Sequence, residues 1–265
     1  MSNNLRKLNA WLKCGIFVFL GLWMILAGNP AYAEWNFGIG TGLSRLSIEG
    51  DLGWETKLAG SVKGDVDLSA SDTSDLMESA FGFGGYATNG TWTINYSFVR
   101  LKLGDDDKAS LPDGSKLKID VDFEVTNAVM LVTRNVYKSK HIHLGLQGGL
   151  RYTSHELTTK LEFGGNKIKN NPDNDWVDAV IGVTLTVPIT DKWSWNNVAN
   201  AGYGGSDGTY FGSTGITWRF LKHWSATASG TYTAVDFEEG NKGDRDWYLY
   251  DIDETTYGIT ILFNW

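Results

Sequence analysis

Three segments set a large aromatic residue at each end of an eight-residue interval: Tyr210 to Trp218, Trp224 to Tyr232, and Tyr257 to Trp265. In the last of them the side chains on one parity are Tyr257, Ile259, Ile261, Phe263 and Trp265, with Gly258, Thr260, Leu262 and Asn264 between. Alternation with a period of two makes a β-strand with one apolar face. Eight steps of about 3.3 Å cover about 26 Å along a strand, and a tilt of roughly 40° leaves about 20 Å of height, near the ~25 Å apolar band of a transmembrane β-barrel. Indole and phenol rings prefer the headgroup boundary, because each joins an apolar body to one polar group. A soluble β-sandwich has no reason to hold aromatic residues at one fixed separation on three strands.

The N-terminus fits export. Arg6, Lys7 and Lys13 precede the run CGIFVFLGLWMILAG, and Ala31-Tyr32-Ala33 forms a small-x-small site before Glu34. This is the pattern of a cleavable signal peptide over 1–33, with cleavage between Ala33 and Glu34 and a mature barrel at 34–265. The alternative, a retained membrane anchor, is disfavoured by the shortness of the apolar run. Cys14 lies within the leader, so the mature part has no cysteine and no disulfide to hold it. Without the three leader cations the net charge falls to −11, from 20 basic and 31 acidic residues. That balance argues against nucleic-acid binding, which needs clustered Lys and Arg. No later segment approaches the ~20 apolar residues of a spanning helix, which leaves a closed barrel as the way to cross a bilayer. Gly is abundant at 32 and Pro rare at 4, as a strand-rich chain with tight turns requires.

The expected fold is all-β: an antiparallel transmembrane barrel, ten strands by the pattern, with eight or twelve also compatible. The strands are expected at 35–48, 79–88, 91–104, 117–137, 141–162, 176–189, 193–206, 209–220, 224–237 and 252–265. Connections then alternate between short turns and long loops, as outer-membrane barrels do between their periplasmic and outer ends. The alternating stretch at 53–70 is either a hairpin rising above the membrane or an extra strand pair. SDTSDLMES at 71–79 is expected to form a short helix capped by Ser71 or Ser74.

Belt residues follow from this arrangement. Trp35, Trp92, Trp193, Trp195, Trp218, Trp224 and Trp265 fall at the periplasmic edge, and Tyr210, Tyr232 and Tyr257 at the outer edge. Asn197 interrupts the lipid-facing register above Trp195, through either an interfacial position or a bulge. The opposite parity is small and polar, with Gly38, Gly40, Gly42 and Ser44, then Asn95 and Ser97, then Ser225, Thr227 and Ser229. The lumen is therefore expected to be wet, and either a thin passage or blocked. Counted from the short turns, Glu124, Arg151 and Asp178 share the inward register of adjacent strands. A guanidinium can bridge two carboxylates, so Arg151 is expected to tie three strands together.

Catalytic and metal patterns are weak. His141 and His143 share a strand face beside a short turn, but two ligands make an incomplete metal site. His223-Trp224-Ser225 is similar to the His-x-Ser spacing of lipid A deacylase barrels but sits in a turn. Ser154-His155-Glu156 are consecutive and point to alternate faces. The acidic groups Asp105 to Asp107, and Asp244, Asp246, Asp251, Asp253 with Glu254, suit either divalent cations or plain solvated charge. No catalytic residue, cofactor or metal ligand is assigned.

DWVDAVIGVTLTVPITDKW at 175–193, NAGYGGSDGTYFG at 200–212 and the closing strand resemble a widespread group of uncharacterised proteobacterial outer-membrane β-barrel proteins. Weaker likeness covers GTWTINYSFVRLKLG and LGLQGGLRYTSHEL. The resemblance implies the barrel fold, a Gram-negative outer membrane reached by Sec-type export, and recognition of the terminal aromatic strand by the barrel-assembly machinery. It implies no established activity. The group carries an acidic residue where this chain has Asn200 and an arginine where it has Thr231. The partners expected are outer-membrane lipids, lipopolysaccharide and that machinery. The expected role is structural or a narrow porin-like passage. The alternatives are a barrel enzyme acting on lipid A or peptides, and an adhesive surface formed by the loops.

Overall fold

The computed structural model describes residues 34–56, 60–110, 116–163, 166–170 and 173–265. The expected signal peptide at 1–33 and the Ala33 side of its expected cleavage site lie outside the described residues. Twelve strands and one helix follow in order: β1 (Asn36–Thr56), β2 (Gly60–Leu68), α1 (Ala70–Asp75), β3 (Met77–Thr88), β4 (Trp92–Ser110), β5 (Lys116–Lys138), β6 (His143–Phe163), β7 (Asn166–Asn170), β8 (Asp173–Pro188), β9 (Trp193–Tyr203), β10 (Gly208–Leu221), β11 (Trp224–Glu239) and β12 (Tyr248–Asn264). All pair antiparallel, and β12 pairs with β1 to close the sheet. Ten strands make the wall. The other two, β2 and β7, pair only with the upper parts of β1 and β6. The alternating stretch at 53–70 is thus a hairpin beyond the wall. Among the described residues no helix is long and apolar enough to cross a membrane.

The rim of short turns is called lower here, and the rim of long loops upper. At the lower rim the Asn89 side chain accepts from the amides of Thr91 and Trp92 at 3.1 and 2.8 Å. Gly90 beside it has φ +83°, a conformation that costs a side-chain-bearing residue energy. Closure is completed where Phe37 and Trp265 exchange amide-to-carbonyl bonds of 2.9 and 3.0 Å. At the upper rim α1 is shorter than the sequence suggests, and its cap is Ser69. Asp72 explains the choice: Ser69 and Asp72 satisfy each other's amides in a capping box, which neither Ser71 nor Ser74 achieves.

The outer face carries the aromatic belts. Trp92, Trp193, Trp195, Trp218, Trp224 and Trp265 are exposed near the lower rim, and Tyr210, Tyr232 and Tyr257 are exposed above them. Trp35 precedes β1 and is half-buried. Trp193 and Trp218 are cross-strand partners with rings stacked at 5.5 Å, and Arg134 lies over Trp92 at 5.6 Å. Between the belts the outer face is apolar, with Leu43, Leu146, Ile181, Val183, Ile259 and Ile261 exposed. Asn197 keeps its lipid-facing register without a bulge. Half of its polarity is met by a neighbour: Thr214 donates to Asn197 Oδ1 at 2.8 Å and accepts from Trp195 Nε1 at 2.8 Å, whereas Asn197 Nδ2 is buried without a hydrogen-bond partner among the described residues.

Candidate functional site

The lumen has two zones. The lower one is polar, as the alternation predicted. Thr186 donates to Asn196, which donates to Thr217, which meets Thr227 at 2.8 Å, so one side-chain chain crosses four strands. Above this chain lies a cavity of about 670 Å³ lined by Asn95, Ser97, Thr133, Gln147, Arg151 and Asn200 among others.

The upper zone is different. Ile48, Leu103, Trp176, Phe237, Tyr248, Tyr250 and Ile252 form one buried apolar cluster, with Phe123 and Leu46 packed against it. Trp176 stacks on Phe237 at 4.1 Å and 11°. His155 sits within, 1 % exposed, 4.2 Å from the Tyr250 ring and bonded through Nδ1 to the Tyr248 hydroxyl at 3.0 Å. These strands run past the outer belt, since Ile252, Tyr250 and Tyr248 lie beyond Tyr257 on β12. Their inward residues change there from small and polar to large and aromatic. The upper lumen therefore holds packed rings, where the sequence leaves both a thin passage and a blocked lumen open. The signal was present in the inward parity of Trp176, Phe237, Tyr248 and Tyr250, but these positions fell near or beyond the expected strand ends.

Arg151 and Asp178 are directly opposed on β6 and β8 and point inward. Glu124 does not join them. β5 carries a bulge between Asn135 and Tyr137. Below the bulge Tyr137 faces out; above it Val129 pairs with inward Arg151, so odd residues face in and Glu124 faces out. There it accepts from Arg100 Nη2 at 2.7 Å, in a row of outward charges with Lys102, Asp122, Lys160 and Glu78. Counting parity from the turn misassigned Glu124 because one extra residue inverts every face beyond it.

Asp178 is fully buried, and its main role is to hold a turn. Its carboxylate accepts from the amides of Gly205 and Ser206 at 3.0 and 2.8 Å, from Ser206 Oγ at 2.8 Å and from Thr209 Oγ1 at 2.9 Å. The β9–β10 connection is thereby folded onto the lumen wall. Close fit demands glycine at 205, where a Cβ would meet Val177 backbone nitrogen and oxygen at 2.7 Å. Arg151 takes a different partner: its Nη2 donates to Asn200 Oδ1 at 3.0 Å and its guanidinium lies over the Phe211 ring at 5.7 Å. Asp178 and Glu254 act on it through space.

The histidines do not converge. His223 lies at the lower rim with Nδ1 2.8 Å from the Asn264 carbonyl, and His141 is exposed there too. His143 lines the cavity. Among the described residues no three His, Cys, Asp or Glu side chains group as metal ligands. In the acidic loops Glu254 points inward and is bonded to Tyr250, whereas Asp244 accepts from the amide of Asn241 at 3.0 Å. The side chains of Asp106 and Asp107 lie outside the described set.

No family model and no curated protein sequence matches the chain. Among solved structures, the outer membrane protease OmpT of Escherichia coli is similar with a TM-score of 0.52 at 8 % identity, over 89 % of this chain and 99 % of that one. The translocator domain of the autotransporter NalP from Neisseria meningitidis follows with a TM-score of 0.44 at 13 % identity, over 96 % and 97 %. The attachment invasion locus protein Ail of Yersinia pestis gives 0.34 at 11 %, over 88 % and 99 %. At such identities the first of these shows a shared fold, that of outer-membrane β-barrels.

Proposed function

We propose that this chain is a non-enzymatic outer-membrane barrel whose lumen opens to the periplasm and is sealed toward the exterior. The observation that carries this reading is the buried cluster of Trp176, Phe237, Tyr248, Tyr250 and His155 across the upper lumen. A solute entering from below meets a polar cavity and then a packed apolar layer, where an ion would lose its hydration without replacement. The lower rim faces the periplasm in this reading because short turns lie on that side of such barrels. The outer-face row of Arg100, Lys102 and Lys160, whose charges are met by Glu124, Glu78 and Asp122, lies toward the upper rim, where this reading expects lipopolysaccharide as a partner. Trp265 on the closing strand is suited to the assembly machinery. His155, the one histidine near the exterior, is enclosed by aromatic rings and has no access to substrate.

Planar-bilayer recording of the purified protein tests the reading. The expected result is an absence of step-like current. Regular steps from the unmodified protein refute the seal. Lipid A from cells with and without the gene is expected to have the same acyl chains, and a difference there would establish an enzyme.

A further inference from the structure

The wall is not equally sealed at every seam. β1 and β3 share five rungs, from Asn36 with Thr88 to Gly40 with Gly84. The same edge of β1 is next paired at Ile48, with Leu68 of β2. Along 41–47, therefore, β1 has no strand on that side, while β3 above Gly84 pairs only with β4. One contact crosses the gap at its foot: Thr41 Oγ1 donates to the Gly82 carbonyl at 2.6 Å. At Ile48 the place beside β1 is already taken by β2. Above Gly40 and Gly84 the two strands thus no longer pair with each other. Helix α1, running from the end of β2 to the start of β3, forms the upper border.

Exposure shows that the gap is open. Gly42, Leu43, Ser44 and Arg45 are four consecutive exposed residues, and Glu78, Ser79, Ala80 and Phe81 are four more on the other side. Successive strand residues point to opposite faces, so exposure of both parities means that neither face is covered. Leu43 is 86 % exposed. Behind the gap, inward-facing Val99 is 49 % exposed, unlike the buried inward residues of β6 and β8. The polar cavity reaches this place, because its lining includes Gly85, Ser97 and Thr260, the last opposite Gly42.

The depth of the opening identifies what meets it. Leu43 is level with Ile259, and Arg45 with Tyr257 of the outer belt, so the opening lies in the outer part of the apolar band. Its outer flank is a row of rings, Phe81, Phe83 and Phe98, with centroids 5.7 to 6.4 Å apart. Unpaired main chain at this depth is tolerated where it lines a watered cavity. An apolar flank outside and a polar lumen carrying Arg151 inside suit a molecule with both characters.

We propose that the β1–β3 gap is a lateral portal through which a single-chain amphiphile with an anionic head, a fatty acid or lysolipid, passes between the surrounding leaflet and the lumen. The tail lies along Phe81 and Phe83, and the head reaches the polar cavity.

The test uses the full mature chain in phosphatidylethanolamine–phosphatidylglycerol vesicles with a diazirine-bearing fatty acid, adducts being mapped by mass spectrometry. Inward-facing Ser44, Ser97 and Val99 are expected to be labelled. In Leu43→Cys/Phe81→Cys, joined by a short bis-maleimide, that labelling is expected to be lost. Val99→Trp, which fills the gap from inside without a cross-link, is expected to lose it as well, and heat-modified gel mobility verifies folding of both. Adducts confined to lipid-facing residues such as Leu43 and Ile259 overturn the proposal. Inward adducts that persist in both folded variants overturn it equally.

Discussion

Asp178 and Arg151 are adjacent opposite charges with unequal work. The carboxylate accepts four hydrogen bonds that fix the β9–β10 turn, whereas the guanidinium leans on Asn200 and Phe211. Hydrogen bonds to a charged group contribute about 1.5–3 kcal/mol each, and buried donors left without an acceptor are costly. Asp178→Ala is expected to destabilise the protein by about 3 kcal/mol or more, read as a lower midpoint in heat-modified gel mobility. Arg151→Met is expected to lower that midpoint less than Asp178→Ala does, because Asp178 keeps its four donors while Asn200 loses one donor and Glu254 loses a neighbouring cation. Equal losses in the two variants would restore the idea of a bridge. Ser69 supplies another local test. Its bonds to Asp72 hold that carboxyl below the usual carboxylate range. The stabilisation is complete above the ordinary value and is lost as pH falls through the lowered one. Amide exchange in α1 is expected to quicken only on that acidic side.

Among the elements, all ten wall strands could be placed from periodicity, because one face meets lipid and the other water. The outward parity of Trp92, Trp193, Trp195, Trp218, Trp224 and Trp265 and of Tyr210, Tyr232 and Tyr257 was legible for the same reason. Two features were not. Glu124 was misplaced because a bulge next to Val136 has no mark in composition; Val136 and Tyr137 are both exposed, and the parity changes between them and Asn135. The packed upper cluster was not singled out because Trp176, Phe237, Tyr248 and Tyr250 lie at or beyond the expected strand ends, and length was judged from the belts. A deletion of Val136 is expected to turn Arg151's neighbours on β5 outward and to abolish the folded, heat-modifiable form. Normal mobility in that deletion would mean that the bulge relocates and does not set the register.

For the whole molecule, the proposed seal and the packing that stabilises the upper barrel rest on one set of residues. Trp176 stacks on Phe237 and borders His155 and Tyr250. Replacing such a ring with alanine typically costs about 3–5 kcal/mol. Trp176→Ala/Tyr250→Ala is expected both to lower the unfolding midpoint and to give stepwise current in planar bilayers. Current-free membranes with a folded double variant would place the barrier elsewhere in the lumen. The sheet is also uneven around its circumference. β1 shares seventeen rungs with β12 but five with β3. Pulled apart in a force microscope, such a cylinder should tear first along its second seam, with the opening strand peeling away still fastened to the final one.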